Sequence, residues 1–347
     1  MSQAPDIASD QQPDCLPPRA RYDLVGHEAA ETAFANAWKE QRLHHAWLIT
    51  GPRGIGKASF AWRAARRVLG AEAMPEYGPL GSRPDDPVCR TLEVDANPDM
   101  LVIRRPWDDK RKRWRAEITV DEARKATGFF EKSAGAGGWR VCLVDSADDM
   151  NTNAANALLK TLEEPPQRGI LFLVSHSPGR LPATIRSRCR RLGLAPPAAE
   201  ISADWLAEAA GQGGDRAARD ALAVAGNAPG RALELIASGG LELHRTVSSY
   251  VASAVQARDS ETRSLAERVS AKGQERLLST FYDALAGSFQ AQARKAAEAH
   301  QDPSAWIKAW KSLSRLVRDA DALYLDPRQT ALSALSLSRQ AARQSRV

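Results

Sequence analysis

A parallel α/β core followed by helical domains is the fold class the sequence predicts, and three observations predict it. Four short runs are apolar: Ala46-Trp-Leu-Ile-Thr50, Met100-Leu-Val-Ile103, Val141-Cys-Leu-Val144 and Ile170-Leu-Phe-Leu-Val174. Helical stretches such as Ala58 to Leu69 and Asn153 to Glu164 lie between them, the second stopped by Pro165-Pro166. After Pro196-Pro197 the chain turns Ala-rich, and from Thr246 onward no convincing strand pattern appears. Apolar strands without polar alternation are those buried on both faces, and strands alternating with helices build a parallel sheet.

The bulk properties set the outer limits. At 347 residues the chain is too long for one ordinary domain, and 43% hydrophobic residues suffice for real cores. The net charge of +6 is compatible with work near nucleic acid but does not demonstrate it. Cys15, Cys89, Cys142 and Cys189 are too scattered to form a C-x-x-C zinc half-site or a disulfide scaffold, which points to a reducing compartment. Cys142 and Cys189 read as small buried hydrophobes. The polar, Pro-rich start lacks the apolar run of a secretory signal, and no window reaches the ~20 apolar residues of a membrane span. A cytoplasmic protein is expected.

Punctuation divides the chain into a flexible tail (1–20), the α/β core (20–195), a small helical domain (196–243) broken by Gly211, Gly213-Gly214 and Gly239-Gly240, and a second helical domain (244–347). In the last, Trp306, Trp310, Leu313, Val317 and Tyr324 share a helical face, as do Leu277, Phe281, Tyr282 and Leu285. Both stripes read as bundle core.

Gly51-Pro-Arg-Gly-Ile-Gly-Lys57 follows a predicted strand and opens a predicted helix, the setting a G-x-x-x-x-G-K phosphate loop requires. Gly51, Gly54 and Gly56 let backbone N–H groups turn towards phosphate oxygens, and the helix N-terminus and Lys57 add positive charge. The next position, where a Ser or Thr hydroxyl would ligate Mg²⁺, is Ala58. Ser59 is no default substitute, being ~100° further round the helix. The second half of such a site is an apolar strand ending in an acid, here Trp139 to Asp145, and Asp145 could reach a metal or its water. Ser146 follows it, and a serine cannot act as a general base at neutral pH; Asp148 and Asp149 lie too far along to inherit that role. ATP or ADP binding with weak Mg²⁺ coordination is therefore expected, with little or no hydrolysis.

Further on stand Asn156-Ala-Leu-Leu-Lys-Thr-Leu-Glu-Glu-Pro-Pro166 and Ser187-Arg188-Cys189. Together with the phosphate loop and Leu24-Val-Gly-His27, these strongly resemble the bacterial DNA polymerase III clamp-loader family over about two-thirds of the chain. The resemblance implies an AAA+ core, a helical lid and a helical collar that assembles a ring. In that family gamma/tau subunits keep an intact ATPase site and delta-prime subunits a degenerate one, and Ala58 and Ser146 are of the second kind. It also implies Asp145 as the Walker B carboxylate, Ser175 near sensor 1, Arg231 as the sensor-2 arginine, and Arg188 as an arginine reaching into a neighbour's ATP site. The implied partners are gamma/tau and delta subunits and, through the complex, the sliding clamp and primed DNA; no membrane and no polymerase active site are implied. Many family members carry a four-cysteine zinc module after the first helix of the core. Gly70 to Asp99 holds only Cys89, so no zinc is expected. An active gamma/tau-type motor and a stand-alone DNA-binding ATPase are the alternatives; Ser146 weighs against the first and the Ser-Arg-Cys motif against the second.

The basic segment Arg104 to Arg115, with Trp107 and Trp114 interleaved, reads as a solvated hairpin tip in preference to a nucleic-acid surface. His44, His45 and His176 have no metal-ligand spacing and read as structural.

Overall fold

The computed structural model describes residues 15–110, 113–132, 134, 138–210 and 215–345. By its contacts the chain divides into two units, Met1–Glu234 and Leu235–Val347. The predicted boundary at 243/244 falls inside the second unit, because α10 (below) belongs to the second unit's core.

The first unit runs α1 (Glu28–Lys39), β1 (Ala46–Thr50), α2 (Lys57–Val68), α3 (Pro87–Glu93), β2 (Met100–Ile103), β3 (Trp107–Asp108), β4 (Arg113–Trp114), α4 (Val120–Phe130), β5 (Arg140–Asp145), α5 (Thr152–Glu163), β6 (Gly169–Ser175), α6 (Ala183–Arg186), β7 (Arg190–Gly193), α7 (Ala199–Ala210), α8 (Asp215–Ala225) and α9 (Pro229–Ala237), whose last residues cross the boundary. Five strands form a parallel sheet in the order β2-β5-β6-β1-β7, and the phosphate loop leaves the C-terminal end of β1. This is the predicted parallel α/β core, with the glycine loop between β1 and α2.

The period-two alternation of strand side chains sorts the core into two layers. Trp47 and Phe172 are register partners and meet Phe34 of α1, with ring centroids 5.0 and 5.8 Å away. Ala46, Leu48, Cys142, Val144, Leu171 and Leu173 face the other way, against Ala123, Ala126, Leu158 and Leu162 of α4 and α5. As predicted, β1, β5 and β6 are fully buried, whereas β2 is mostly half-buried because it lies at the sheet edge. The predicted hairpin exists: β3 pairs with β4, and Trp107 packs edge-on against Trp114 at 5.3 Å. Residues 111–112 of its tip lie outside the described residues, as do Gly211, Gly213 and Gly214.

Residues 1–14 of the predicted tail also lie outside them, but residues 15–20 are held in place. Arg66, fully buried on α2, donates to the carbonyls of Arg19 (2.5 Å) and Arg21 (2.9 Å) and stacks on Tyr22 at 3.9 Å. One turn earlier, Arg63 pairs with Glu31 at 2.5 Å and donates to the carbonyls of Tyr22 and Tyr77. Two buried guanidiniums thus fasten the N-terminal arm to the first helix of the phosphate loop.

The second unit contains α10 (Gly240–Ala252), α11 (Asp259–Ser270), α12 (Glu275–Glu298), α13 (Ser304–Leu323) and α14 (Pro327–Gln344) around one apolar core. Phe281, Leu285, Trp306 and Leu313 are in that core, as their stripes predicted, with Leu277, Tyr282 and Val317 packed against it. Trp310 and Tyr324 are not: they are 37% and 57% exposed. Trp310 lies a full helical turn from Trp306 yet towards the rim of the stripe, and Tyr324 comes after the helix has ended, at a left-handed φ of 56°. Among the described residues no helix is long and apolar enough to cross a membrane.

Candidate nucleotide site

β1 ends at Thr50 and the loop turns through Gly51, Gly54 and Gly56 with φ of 149°, 81° and 96°. All three values explain the residue type, since side chains rarely tolerate them. A Cβ on Gly54 would stand 2.5 Å from the backbone nitrogen of Arg231, and one on Gly56 would stand 2.6 Å from the Leu24 side chain. The buried His27 ring fixes the loop from below, 2.6 Å from the Ile55 carbonyl.

The loop floors a cavity of about 300 Å³. Lys57, Ala58 and Ser59 of α2, Asp145 and Ser146 at and just after the end of β5, and Val174 and His176 at and just after the end of β6 line it. Leu24, Val25 and Trp205 of α7 line it as well. The Trp205 ring N–H donates to Asp23 at 2.5 Å, Arg21 pairs with the same carboxylate at 2.9 Å, and its guanidinium lies over the indole at 4.9 Å. The arm and α7 are therefore joined across the cavity wall. Pro229 and Gly230, at the start of α9, close a further side, and the Gly230 amide donates to the Gly54 carbonyl at 2.9 Å.

Lys57 is only 3% exposed. Burial, opposed by Asp145 and Asp148 and aided by Arg53, pushes its pKa down to about 8. A phosphate in the cradle would restore the full charge on Lys57, so binding must take up a proton wherever the free lysine is neutral. ADP affinity is expected to fall as the pH rises through about 8, and Lys57→Arg, always charged, should flatten the profile. Calorimetric titrations at pH 7 and 9, in buffers of different ionisation enthalpy, read both the affinity and the proton uptake.

The predicted residues divide into those the cavity collects and those it does not. Gly54, Gly56, Lys57 and Asp145 line it, and Arg231 lies against the loop through its contact with Gly54. Ser175 does not line it: the residue is fully buried, and its hydroxyl donates to Asp148 at 2.8 Å. Arg188 stands elsewhere, after α6, donating to the Thr184 carbonyl at 3.0 Å and pairing with Glu163 at 2.7 Å. His176, read as structural from its spacing, is on the cavity wall, and so is Asp149, whose carboxylate is 3.4 Å from Arg105 at the foot of the hairpin. Burial raises the pKa of Asp149, opposed by Arg105. His44 and His45 do have structural roles, stacked on each other at 4.4 Å and bonded to the carbonyls of Ala46 and Leu162.

The cradle fits the phosphates of a nucleotide. It fits Mg²⁺ less well, since Asp145 supplies a carboxylate but Ala58 offers no hydroxyl. In the 70–99 segment, Cys89 is buried with its thiol 3.5 Å from the Ser82 hydroxyl, and burial raises its pKa.

Comparison with known proteins agrees with this architecture. The family described as DNA polymerase III, delta subunit, matches residues 26–198. DNA polymerase III subunit delta' of Pseudomonas aeruginosa is 37% identical over 195 residues, 56% of this chain and 56% of that protein. Subunit delta' of Escherichia coli is 31% identical over 223 residues, 64% of each. Subunit tau of Escherichia coli is 34% identical over 177 residues, 51% of this chain and 26% of that protein. The alignments thus span between about a quarter and two-thirds of the relatives' lengths. From the matched core and the motifs within it, the chain belongs to the DNA polymerase III clamp-loader family.

Proposed function

We propose that the chain acts as a delta-prime-type clamp-loader subunit. In this reading it holds ATP or ADP in a formed cradle with weak Mg²⁺ coordination and without zinc, and hydrolyses slowly or not at all. It braces a cytoplasmic ring with gamma/tau and delta subunits while the sliding clamp is opened and placed on primed DNA. The five-helix second unit is the ring-forming collar, and Arg188 is lent to a neighbouring gamma/tau site.

The observation that carries this reading is a phosphate cradle that is built but unequipped. Lys57 and Asp145 are in place, yet a methyl group stands where the metal-binding hydroxyl belongs and Ser146 stands where the water-polarising carboxylate belongs. Ser146 cannot stand in for it: its hydroxyl donates to Asp148 at 3.1 Å and has no base strength at neutral pH. The similarity to tau over the core favours a second reading, an active motor. Steady-state ATPase of the pure chain, with and without primed DNA, separates the two. Little or no turnover is expected, and a rate of about 1 s⁻¹ or faster, that of working enzymes, would establish the motor instead.

A further inference from the structure

The end of β2 brings to the cavity a cation that the phosphate-loop motif does not contain. β2 stops at Ile103, and the next two side chains take different partners. Arg104 pairs with Asp95 at 3.5 Å and Arg105 with Asp149 at 3.4 Å. The Pro106 carbonyl then accepts the Arg115 amide at 2.9 Å, so the hairpin closes directly behind Arg105. Arg105 and Asp149 both line the nucleotide cavity, as does Arg53 of the phosphate loop. Burial raises the pKa of Asp149, and the positive charges of Arg105, Arg53 and Arg180 work against that rise. Guanidiniums from separate segments thus act on a single carboxylate at the cavity wall.

The donor set for a metal is poorer. In a phosphate loop Mg²⁺ is held by the hydroxyl that follows the lysine and by a carboxylate at the end of a neighbouring strand, besides the phosphates themselves. Ala58 removes that hydroxyl, and the Ser146 hydroxyl is given to Asp148 at 3.1 Å. Resting on the reading of this cavity as a nucleotide site, we infer that the chain takes the nucleotide as its metal-free anion, with Arg105 supplying positive charge that Mg²⁺ supplies in an intact phosphate loop. A guanidinium is always charged and carries five N–H donors in a fixed fork, and Asp149 is met through Nε. The two side chains are 34% and 35% exposed, so solvent screens their pairing and a phosphate can compete for the arginine. A metal already on the phosphates would bring further positive charge against Arg105 and Arg53, which makes the metal complex the poorer ligand.

Calorimetric titration of the full chain with ADP, in excess Mg²⁺ and in EDTA at equal ionic strength, tests this. The unmodified chain is expected to bind in EDTA at least as tightly as in Mg²⁺. Arg105→Ala should weaken ADP in EDTA by about tenfold, the scale of one hydrogen bond to a charged group, and the Mg²⁺ complex by less. Arg105→Lys, which keeps the charge but not the fork, should fall between the two. Asp149→Asn removes the competing carboxylate and should tighten ADP in EDTA, a gain that a damaged fold does not produce. The inference is overturned by an affinity that drops tenfold or more when EDTA replaces Mg²⁺, by unchanged binding in EDTA for Arg105→Ala, or by weaker binding for Asp149→Asn. A chain that binds ADP in neither medium brings down the nucleotide-site reading and this inference with it. One that binds only with Mg²⁺ leaves that reading standing and removes the role of Arg105 alone.

Discussion

Replacing Arg188 with alanine is expected to leave the isolated chain folded and as stable as before, while slowing ATP hydrolysis at the adjacent gamma/tau site of a reconstituted ring. Two observations set the stability side. The Arg188–Glu163 ion pair is short, but its side chains are 36% and 50% exposed. Solvent-exposed pairs contribute about 0–1 kcal/mol, so Arg188 can exchange Glu163 for another anion at little cost. A guanidinium is always charged and forked, suited to a phosphoryl group whose charge is spread over several oxygens in the transition state. Arginines in that role are worth roughly 10³–10⁵ in rate at a single site, diluted in a ring where other sites keep theirs. The readouts are a thermal melt of the variant alone and the ATPase of the assembled ring. A destabilised variant whose rings hydrolyse ATP and load clamps normally would show that Arg188 merely staples α5 to the loop after α6.

Arg63→Ala should produce the largest stability loss in the molecule. Arg63 and Glu31 have 2% side-chain exposure each, so the substitution strands a carboxylate in the core and releases the carbonyls of Tyr22 and Tyr77. Breaking a buried pair from one side typically costs ~3–5 kcal/mol, a large part of the ~5–15 kcal/mol that holds a domain together. Urea unfolding of the full chain, followed by tryptophan fluorescence, measures the shift. Glu31→Leu combined with Arg63→Met should recover much of the loss, because it removes the stranded charge and keeps the volume. If Arg63→Ala alone costs less than about 1 kcal/mol, the arm is not fastened in the way the hydrogen bonds imply.

These buried arginines also show where sequence reading stops. The central strands were legible because Ala46–Thr50, Arg140–Asp145 and Gly169–Ser175 are apolar on both faces. Strand β7 gave no such signal: Arg190-Arg191-Leu-Gly193 is an exposed edge strand, held by its register with β1 and by Arg190 lying over Trp47 at 4.8 Å. Nothing local to α2 marks Arg63 and Arg66 as interior residues; the returning N-terminal arm, whose carbonyls they bind, makes them so. At the site, the phosphate loop and Asp145 were visible because their chemistry is local to a motif. The place of His176 on the cavity wall and the hydrogen bonds that Asp148 receives were not, because they join segments 27 to 29 residues apart in the chain. Trp205 escaped for the same reason, 182 residues from the carboxylate it binds.

The contact between the phosphate loop and the start of α9 has a consequence for how such motifs are interpreted. Gly54 leaves room not for a ligand but for Arg231, whose backbone nitrogen and Cβ would be 2.5 and 2.9 Å from any Cβ placed there, and its carbonyl receives the Gly230 amide. The glycine is thus a piece of joinery between two parts of the first unit, and it would be needed in a chain that never met ATP. A loop of this kind can outlive the chemistry it is named for: its spacing is maintained by carpentry as much as by catalysis. The presence of Gly-x-x-x-x-Gly-Lys then testifies to a shape, and the residues flanking it, Ala58 and Ser146, testify to the trade.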